Sequence, residues 1–331
     1  RWSAEMISGN KALELTAIID NSPALIGKDP GAILGIGETG IKINTAEDVL
    51  QSTHADVVIH STITSIQAVT EQIIPCLEFG MNVISTSEEL IYPWQSYPDS
   101  SNEIDTAAKA NNVSVIATGV NPGFTTDLLP LVLCSASERI DDIIISRVVD
   151  FSEYPHFQPP YMGFGMSRPE FEEKVHGSVW GLGRNPLPGR EQNIQLIAES
   201  LGWELSDISI QYDPVVSKSR RPTKWGFEIE PGQVAGVTQI GRGFVDSVER
   251  IIIESTAICH PDQDEDDMRA GNHIQIKGNP SHDLWLDGGT VERGGYVSSA
   301  RQVNLIPFIV QARSGLLTMR DLPAIPPPFS S

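Results

Sequence analysis

Positive charge is scarce in this sequence: 331 residues carry 23 Lys and Arg against 43 Asp and Glu, a formal net charge of −20. Nucleic acids and anionic lipid surfaces are held chiefly through Lys and Arg, so neither is an expected partner. The pair Arg220-Arg221 is too short to make a basic patch. Long apolar runs are lacking too. No stretch of about 18 apolar residues offers a membrane-spanning helix. No basic segment leads into an apolar stretch with a small-residue cleavage site. Cysteine is rare. Cys76, Cys134 and Cys259 are odd in number and far apart, which fits neither a disulfide framework nor a zinc site. Buried reduced thiols are expected, and with them a cytoplasmic setting and no bound metal.

One more absence matters. A glycine fingerprint that follows a strand and opens a helix is missing: Gly35-Ile-Gly37 and Gly163-Phe-Gly165 both stand in the wrong context. Yet the first third alternates strand and helix patterns. Short apolar runs end in polar residues at Leu15-Thr-Ala-Ile-Ile-Asp20, Asp56-Val-Val-Ile-His-Ser61, Asn82-Val-Ile-Ser-Thr86 and Val113-Ser-Val-Ile-Ala-Thr118. Helical patterns at 66–79, closed by Gly80, and at 101–110, closed by Asn111, lie between them. Such alternation predicts βαβ units and a parallel sheet. Beyond Asn121-Pro-Gly123 the pattern changes. Residues 143–150, 226–253 and 272–277 read as longer strands, interrupted by a helix from Glu191 to Leu201 that stops at Gly202. The expected fold class is therefore α/β: a Rossmann-type parallel-sheet domain plus a second, mixed or antiparallel α+β domain. The dinucleotide-binding domain is expected over 1–123, with 301–331 returning to it as a helix (301–313) and a Pro-rich extended tail. Residues 124–300 are expected to form a substrate and dimerisation domain.

Asp20 carries the first chemical expectation. An acid at the end of the second strand of such a fold lies about 20 residues past the glycine fingerprint and binds the ribose hydroxyls. Counting back places those glycines, and the first strand, at or before Arg1. The Asp20 charge should repel a 2′-phosphate, so the cofactor is expected to be NAD or NADP with NAD preferred. Ser61, Thr62, Thr86, Asn121 and Gly123 stand at the other strand ends, where ligands approach an open α/β sheet. Hydroxyl residues there also suit helix N-caps. Glu88 and Glu89 are the sharpest acids: one carboxylate in a crevice can hold an ammonium or move a proton. Two adjacent acids at a helix start also answer the helix dipole. Phe151, Tyr154, Phe157, Tyr161 and Phe164 form an aromatic-rich stretch that suits either a pocket wall or ordinary core.

The segments Thr86-Ser-Glu-Glu-Leu-Ile-Tyr-Pro93 and Ala117-Thr-Gly-Val-Asn-Pro-Gly-Phe124 together resemble those of the native amine dehydrogenase and 2,4-diaminopentanoate dehydrogenase group, related in fold to dihydrodipicolinate reductase. Further matching segments are Pro169-Glu-Phe-Glu-Glu173, Ile197-Ala-Glu-Ser-Leu-Gly-Trp203, Pro231-Gly-Gln-Val-Ala-Gly236, Asn304-Leu-Ile-Pro307 and Leu316-Leu-Thr-Met-Arg-Asp-Leu-Pro323. The resemblance implies that Glu88 is catalytic, beside the reacting carbon, and engages ammonia or an iminium, with Glu89 structural. It places Asn121 to Gly123 by the nicotinamide, Asn304 with the cofactor-binding residues, and Phe124, Tyr161, Phe164 and His176 in the substrate pocket. Where relatives carry Gly-His-Val-Gly-Leu-Pro-Glu-Ser after that histidine, this chain runs His176-Gly-Ser-Val-Trp-Gly-Leu-Gly, so the pocket wall is altered. The implied function is NAD(P)H-dependent reductive amination of a small ketone or aldehyde with ammonia, and its reverse, in a homodimer. Diaminopentanoate oxidation or imine and carbonyl reduction on the same fold stays open, as does a non-catalytic dinucleotide sensor.

Overall fold

A computed structural model of the chain describes residues 1–152, 162–176, 188–261, 263–288 and 293–324. The chain divides into two compact units, Arg1–Phe124 with Gly295–Ser331, and Thr125–Gly294. The first unit begins with α1 (Trp2–Ser8), β1 (Ile18–Ile19), α2 (Pro30–Leu34), β2 (Ile43–Asn44) and α3 (Ala46–Ser52). Then come β3 (Val57–His60), α4 (Ile66–Glu78), β4 (Asn82–Ser85), α5 (Pro98–Ala110) and β5 (Ser114–Ala117). All four residues of β5 are buried, and a strand covered on both faces has no reason to alternate apolar with polar positions. That is why these strands read as short apolar runs. Helix α4 buries Ile66, Val69, Thr70, Ile73, Cys76 and Leu77, the spacing that puts one stripe against a sheet.

The second unit holds α6 (Leu128–Cys134), β6 (Arg139–Asp150), α7 (Arg168–Phe171), α8 (Arg190–Leu201), β7 (Asp207–Val216), β8 (Val234–Val245), β9 (Val248–Ile258), α9 (Gln263–Asp266), β10 (Gly271–Asn279) and β11 (His282–Leu286). The chain then returns to the first unit through α10 (Gly294–Ile309) and β12 (Gly315–Leu317). In the first unit β3, β4, β5 and β12 form one parallel sheet, while β1 and β2 pair as a separate two-stranded sheet among the described residues. The second unit has a six-stranded sheet in the order β11-β10-β6-β9-β8-β7, with β6 and β9 parallel and the rest antiparallel. The fold is thus α/β, a Rossmann-type parallel sheet plus a mixed-sheet unit.

Three details depart from the sequence-based expectation. The strand expected over 15–20 is two residues long. Residues 226–233 are not strand, because Gly226 and Gly232 take positive φ in turns, whereas β7 supplies the edge strand instead. The C-terminal helix starts at Gly294 rather than 301 and stops at Ile309. Gly35 closes α2 in the left-handed conformation, so it ends a helix rather than opening one. Of the Pro-rich tail, residues 325–331 lie outside the described residues. Among the described residues no helix is long and apolar enough to cross a membrane, and the three cysteines are free and buried.

Candidate functional site

The carboxyl ends of β3, β4 and β5 lie side by side, because register pairs His60 with Ser85 and Ser85 with Ala117. After Ser85 the chain turns through Thr86, Ser87 and Glu88 into a single 3₁₀ turn, Glu89–Ile91. Leu90 and Ile91, 0% and 1% exposed, anchor that turn in the core. Both acids are half-buried at its rim, and they differ in what they hold. The Glu89 carboxylate accepts the Ile66 N–H at 2.8 Å, the first amide of α4. It fills the capping role there, since the Ser65 hydroxyl donates to Gln67 instead. Glu88 Oε2 accepts the Thr64 hydroxyl at 3.1 Å. Thr64 is itself fastened, its carbonyl accepting the Ser87 hydroxyl at 2.7 Å.

At the end of β3, His60 is buried and bonded at both ring nitrogens: Nδ1 to the Ser85 hydroxyl and Nε2 to Gln72 Oε1, each at 2.9 Å. Burial pushes the imidazole below the ordinary histidine pKa, against a smaller upward pull from the Gln72 bond. Gln302 of α10 is fully buried and stitches the strand ends together. Its amide donates to the His60 and Ile84 carbonyls at 3.2 and 3.1 Å, and its oxygen accepts the Ser61 hydroxyl at 3.2 Å and the Ser3 hydroxyl at 3.3 Å.

The third wall is the loop after β5. The Val120 N–H donates to the Ser298 hydroxyl at 3.0 Å, tying the loop to α10. Gly123 has φ of 114°, and a Cβ there would come within 2.1 Å of the Gly119 nitrogen, so the turn doubles back too tightly for any side chain. The Arg301 guanidinium lies 5.3 Å from the centre of the Phe124 ring, a cation–π arrangement. Thr118 Oγ1 is buried without a hydrogen-bond partner among the described residues. A turn that leaves no room for a side chain at Gly123 and a buried Thr118 hydroxyl without a partner among the described residues fit a dinucleotide that approaches the strand ends closely.

The expected site residues fall into groups. Ser61, Thr62, Thr86, Glu88, Asn121 and Gly123 gather at the ends of β3, β4 and β5. Asp20 ends β1, where its carboxylate accepts the Ser22 N–H at 2.7 Å and its own N–H donates to the Asn44 carbonyl. Asn304 is two residues beyond Gln302 on α10, hence about opposite it around the helix, and its side chain makes no hydrogen bond among the described residues. Phe124 borders the loop. Phe164 is 3% exposed and packs with Phe171, Met162 and Ile229 in the core of the second unit, edge-on to Trp225 at 5.2 Å. Tyr161 lies outside the described residues. His176 ends the helical turn Glu172–His176. The residues that sequence reading passed over are His60, Thr64, Ser85 and Gln302. A signal existed for one of them: a His closing an apolar strand is a polar group that burial obliges to find partners.

Residues 124–328 match the family model described as the 2,4-diaminopentanoate dehydrogenase C-terminal domain. The chain is 34% identical over 286 residues to a 2,4-diaminopentanoate dehydrogenase of Acetoanaerobium sticklandii, covering 85% of this chain and 77% of that protein. It is 25% identical over 350 residues to an amine dehydrogenase of Streptomyces virginiae, covering 98% and 94%. Among solved structures, the amine dehydrogenase from Mycobacterium smegmatis superposes with a TM-score of 0.83 at 24% identity, over 100% of this chain and 94% of that one.

Proposed function

Because the chain belongs to the 2,4-diaminopentanoate dehydrogenase family, and so is a nicotinamide-dinucleotide oxidoreductase acting on amines, we propose that it interconverts a small ketone or aldehyde and the corresponding primary amine in the cytoplasm. The observation that carries this reading is the unequal use of the two acids. Glu89 is committed to the N-terminus of α4, while Glu88, one residue earlier, turns its carboxylate to the Thr64 hydroxyl at the strand ends. In the amine-forming direction ammonia condenses with the carbonyl, water leaves as an iminium forms, and the nicotinamide, when bound, supplies the hydride that reduces it. Glu88 binds ammonia and offers a fixed negative charge to the cationic iminium, and its carboxylate takes and returns the protons that condensation moves. Thr64 sets the direction of that carboxylate. Asn121 and Gly123 shape the turn where the nicotinamide would lie.

The test is a panel of ketones and aldehydes with NADH, run with and without ammonia. Oxidation of NADH that requires ammonia is the expected result; equal rates without it would mean a plain carbonyl reductase. A second reading, oxidation of 2,4-diaminopentanoate, is favoured by the 34% identical relative and by Arg301, a cation beside the Asn121–Phe124 loop that could receive a substrate carboxylate. Arg168 is exposed and pairs with Glu172 at 2.9 Å. Efficient turnover of 2,4-diaminopentanoate with poor activity on simple ketones would make it the primary activity.

Cofactor choice follows from Asp20. Its charge favours ribose hydroxyls over a 2′-phosphate, so NADH should be preferred. Asp20→Ala should raise the NADPH-to-NADH ratio of kcat/KM roughly fivefold, the scale of about 1 kcal/mol for a half-exposed charge contact. A wild-type preference for NADPH would reverse the assignment.

The enzyme is also proposed to be a homodimer. Ile144, Ile240 and Ile252 share the face of the mixed sheet that turns away from the core of Ile143, Ile145, Ile251 and Ile253, and they are only half-buried. A second copy would cover these isoleucines, which share their face with Arg242 and Glu254. A monomeric mass by light scattering at micromolar concentration would count against it.

A further inference from the structure

We infer that His60, held as the neutral Nε2–H tautomer, is a positioning residue for Glu88. The inference rests on the role given to Glu88 above. Its basis is a hydrogen-bond series that, with the Gln72 amide oxygen turned toward His60 and Thr62, allows one arrangement of protons. The Thr62 hydroxyl donates to Gln72 Oε1, so toward His60 Nε2, 2.9 Å away, the Thr62 oxygen can only accept. Gln72 Oε1 is an acceptor as well. Both neighbours of Nε2 therefore require the ring proton there, and Nδ1 is left as an acceptor. The Ser85 hydroxyl must donate to Nδ1. That leaves the Ser85 oxygen to accept the Ser87 N–H, at 3.0 Å. Ser87 passes the order onward, donating its hydroxyl to the Thr64 carbonyl, and Thr64 donates its own to Glu88 Oε2. Every member from Ser85 to Ser87 is buried. A doubly protonated or Nδ1–H ring would turn the Ser85 hydroxyl proton away from His60, so that the Ser85 oxygen accepts from both Nδ1 and the Ser87 N–H and loses its present orientation.

Three full-length variants test this: His60→Asn, His60→Leu and Ser85→Ala, assayed with the ketone that turns over fastest in the ammonia panel. His60→Leu and Ser85→Ala should lower kcat by roughly 10- to 10²-fold, since small displacements of a reacting group are costly. The dissociation constant for NADH should hold within about twofold, since neither side chain is assigned to the cofactor. His60→Asn offers an amide oxygen near the Nδ1 position and should recover most of the rate. Long-range ¹H–¹⁵N correlation on the unmodified protein should show the Nε2–H tautomer. A general packing defect would instead lower melting temperature, cofactor affinity and kcat together, in the Asn variant as much as in the Leu variant. Overturning results are an Nδ1–H tautomer, or a folded Ser85→Ala enzyme of normal kcat. If Glu88→Gln is inactive while His60→Leu is normal, only the positioning role fails; if Glu88→Gln is normal, the role of Glu88 fails first.

Discussion

Glu88→Gln should lose roughly 10²–10³-fold in ammonia-dependent turnover, about 3–4 kcal/mol of transition-state stabilisation. Melting temperature and NADH affinity should stay near those of the unmodified enzyme. The substitution keeps the size of the side chain and the Thr64 contact, whose hydroxyl can donate to an amide oxygen as well as to a carboxylate. What it removes is the fixed charge opposite a developing cation. Glu89→Gln is the internal control. Its carboxylate holds the first N–H of α4, and an amide oxygen accepts the same bond while giving up the favourable interaction with the helix dipole. That change should cost up to about 1 kcal/mol of stability and leave turnover almost intact. Single-turnover amination, cofactor titration and thermal melts on both variants separate the two roles. An active Glu88→Gln enzyme, or a Glu89→Gln enzyme that alone is dead, would reverse the assignment.

The parallel core of the first unit was readable because β3, β4 and β5 are short apolar runs rich in Val and Ile, flanked by helix patterns with Gly and Asn stops. Shorter pieces were not. A two-residue pairing such as β1 with β2 leaves no period to detect. The edge strand β7 carried a usable signal in Ile208, Ile210 and Tyr212, alternating with polar residues, but its half-burial on both faces weakened it. At the site, adjacent acids after a strand were legible as chemistry, whereas the choice of Glu88 over Glu89 rests on resemblance and not on spacing. Their different partners, Thr64 and Ile66, lie 24 and 23 residues away in the chain. The bonds of Gln302 to the β3 and β4 ends span 218 residues or more. Contacts of that range exist only once the sheet has formed, so no local pattern announces them. The aromatic stretch suited either a pocket wall or ordinary core, and Phe164 packs in the core with Phe171.

Arg221→Leu should be the most destabilising single change in the second unit. Arg221 is 3% exposed and forks onto two carboxylates, with Nη2 2.8 Å from Asp266 Oδ1 and 3.0 Å from Glu265 Oε1, and Nη1 2.9 Å from Asp266 Oδ2. The same group donates to the Cys259 and His260 carbonyls and, through Nε, to the Ser217 hydroxyl. It therefore joins the segment after β7 to the segment after β9. Removing the cation leaves two carboxylates and two carbonyls facing an apolar side chain, a loss of roughly 3–5 kcal/mol. At a few degrees per kcal/mol for a unit of this size, Tm should fall by on the order of 10 °C. Arg221→Lys should recover only part, because an ammonium cannot fork onto both acids. The pH dependence gives the claim its signature. Hydrogen bonds from the Ser219 hydroxyl and the Lys218 N–H, with Arg221 adding to them, pull the Glu265 carboxyl down to about 2 from an ordinary 4.5. A depressed carboxyl pKa contributes stability above the unfolded value and loses it as pH falls toward the folded one. The unmodified protein should therefore lose stability between about pH 4.5 and 2, while the Leu variant, whose Glu265 keeps the Ser219 and Lys218 bonds but not the Arg221 contribution, loses somewhat less over that range. The Tm gap between the two should be widest near neutral pH and shrink in acid. A gap that is constant from pH 7 to 3 would mean that Arg221 acts through packing of its stem and carbonyl bonds rather than through its charge.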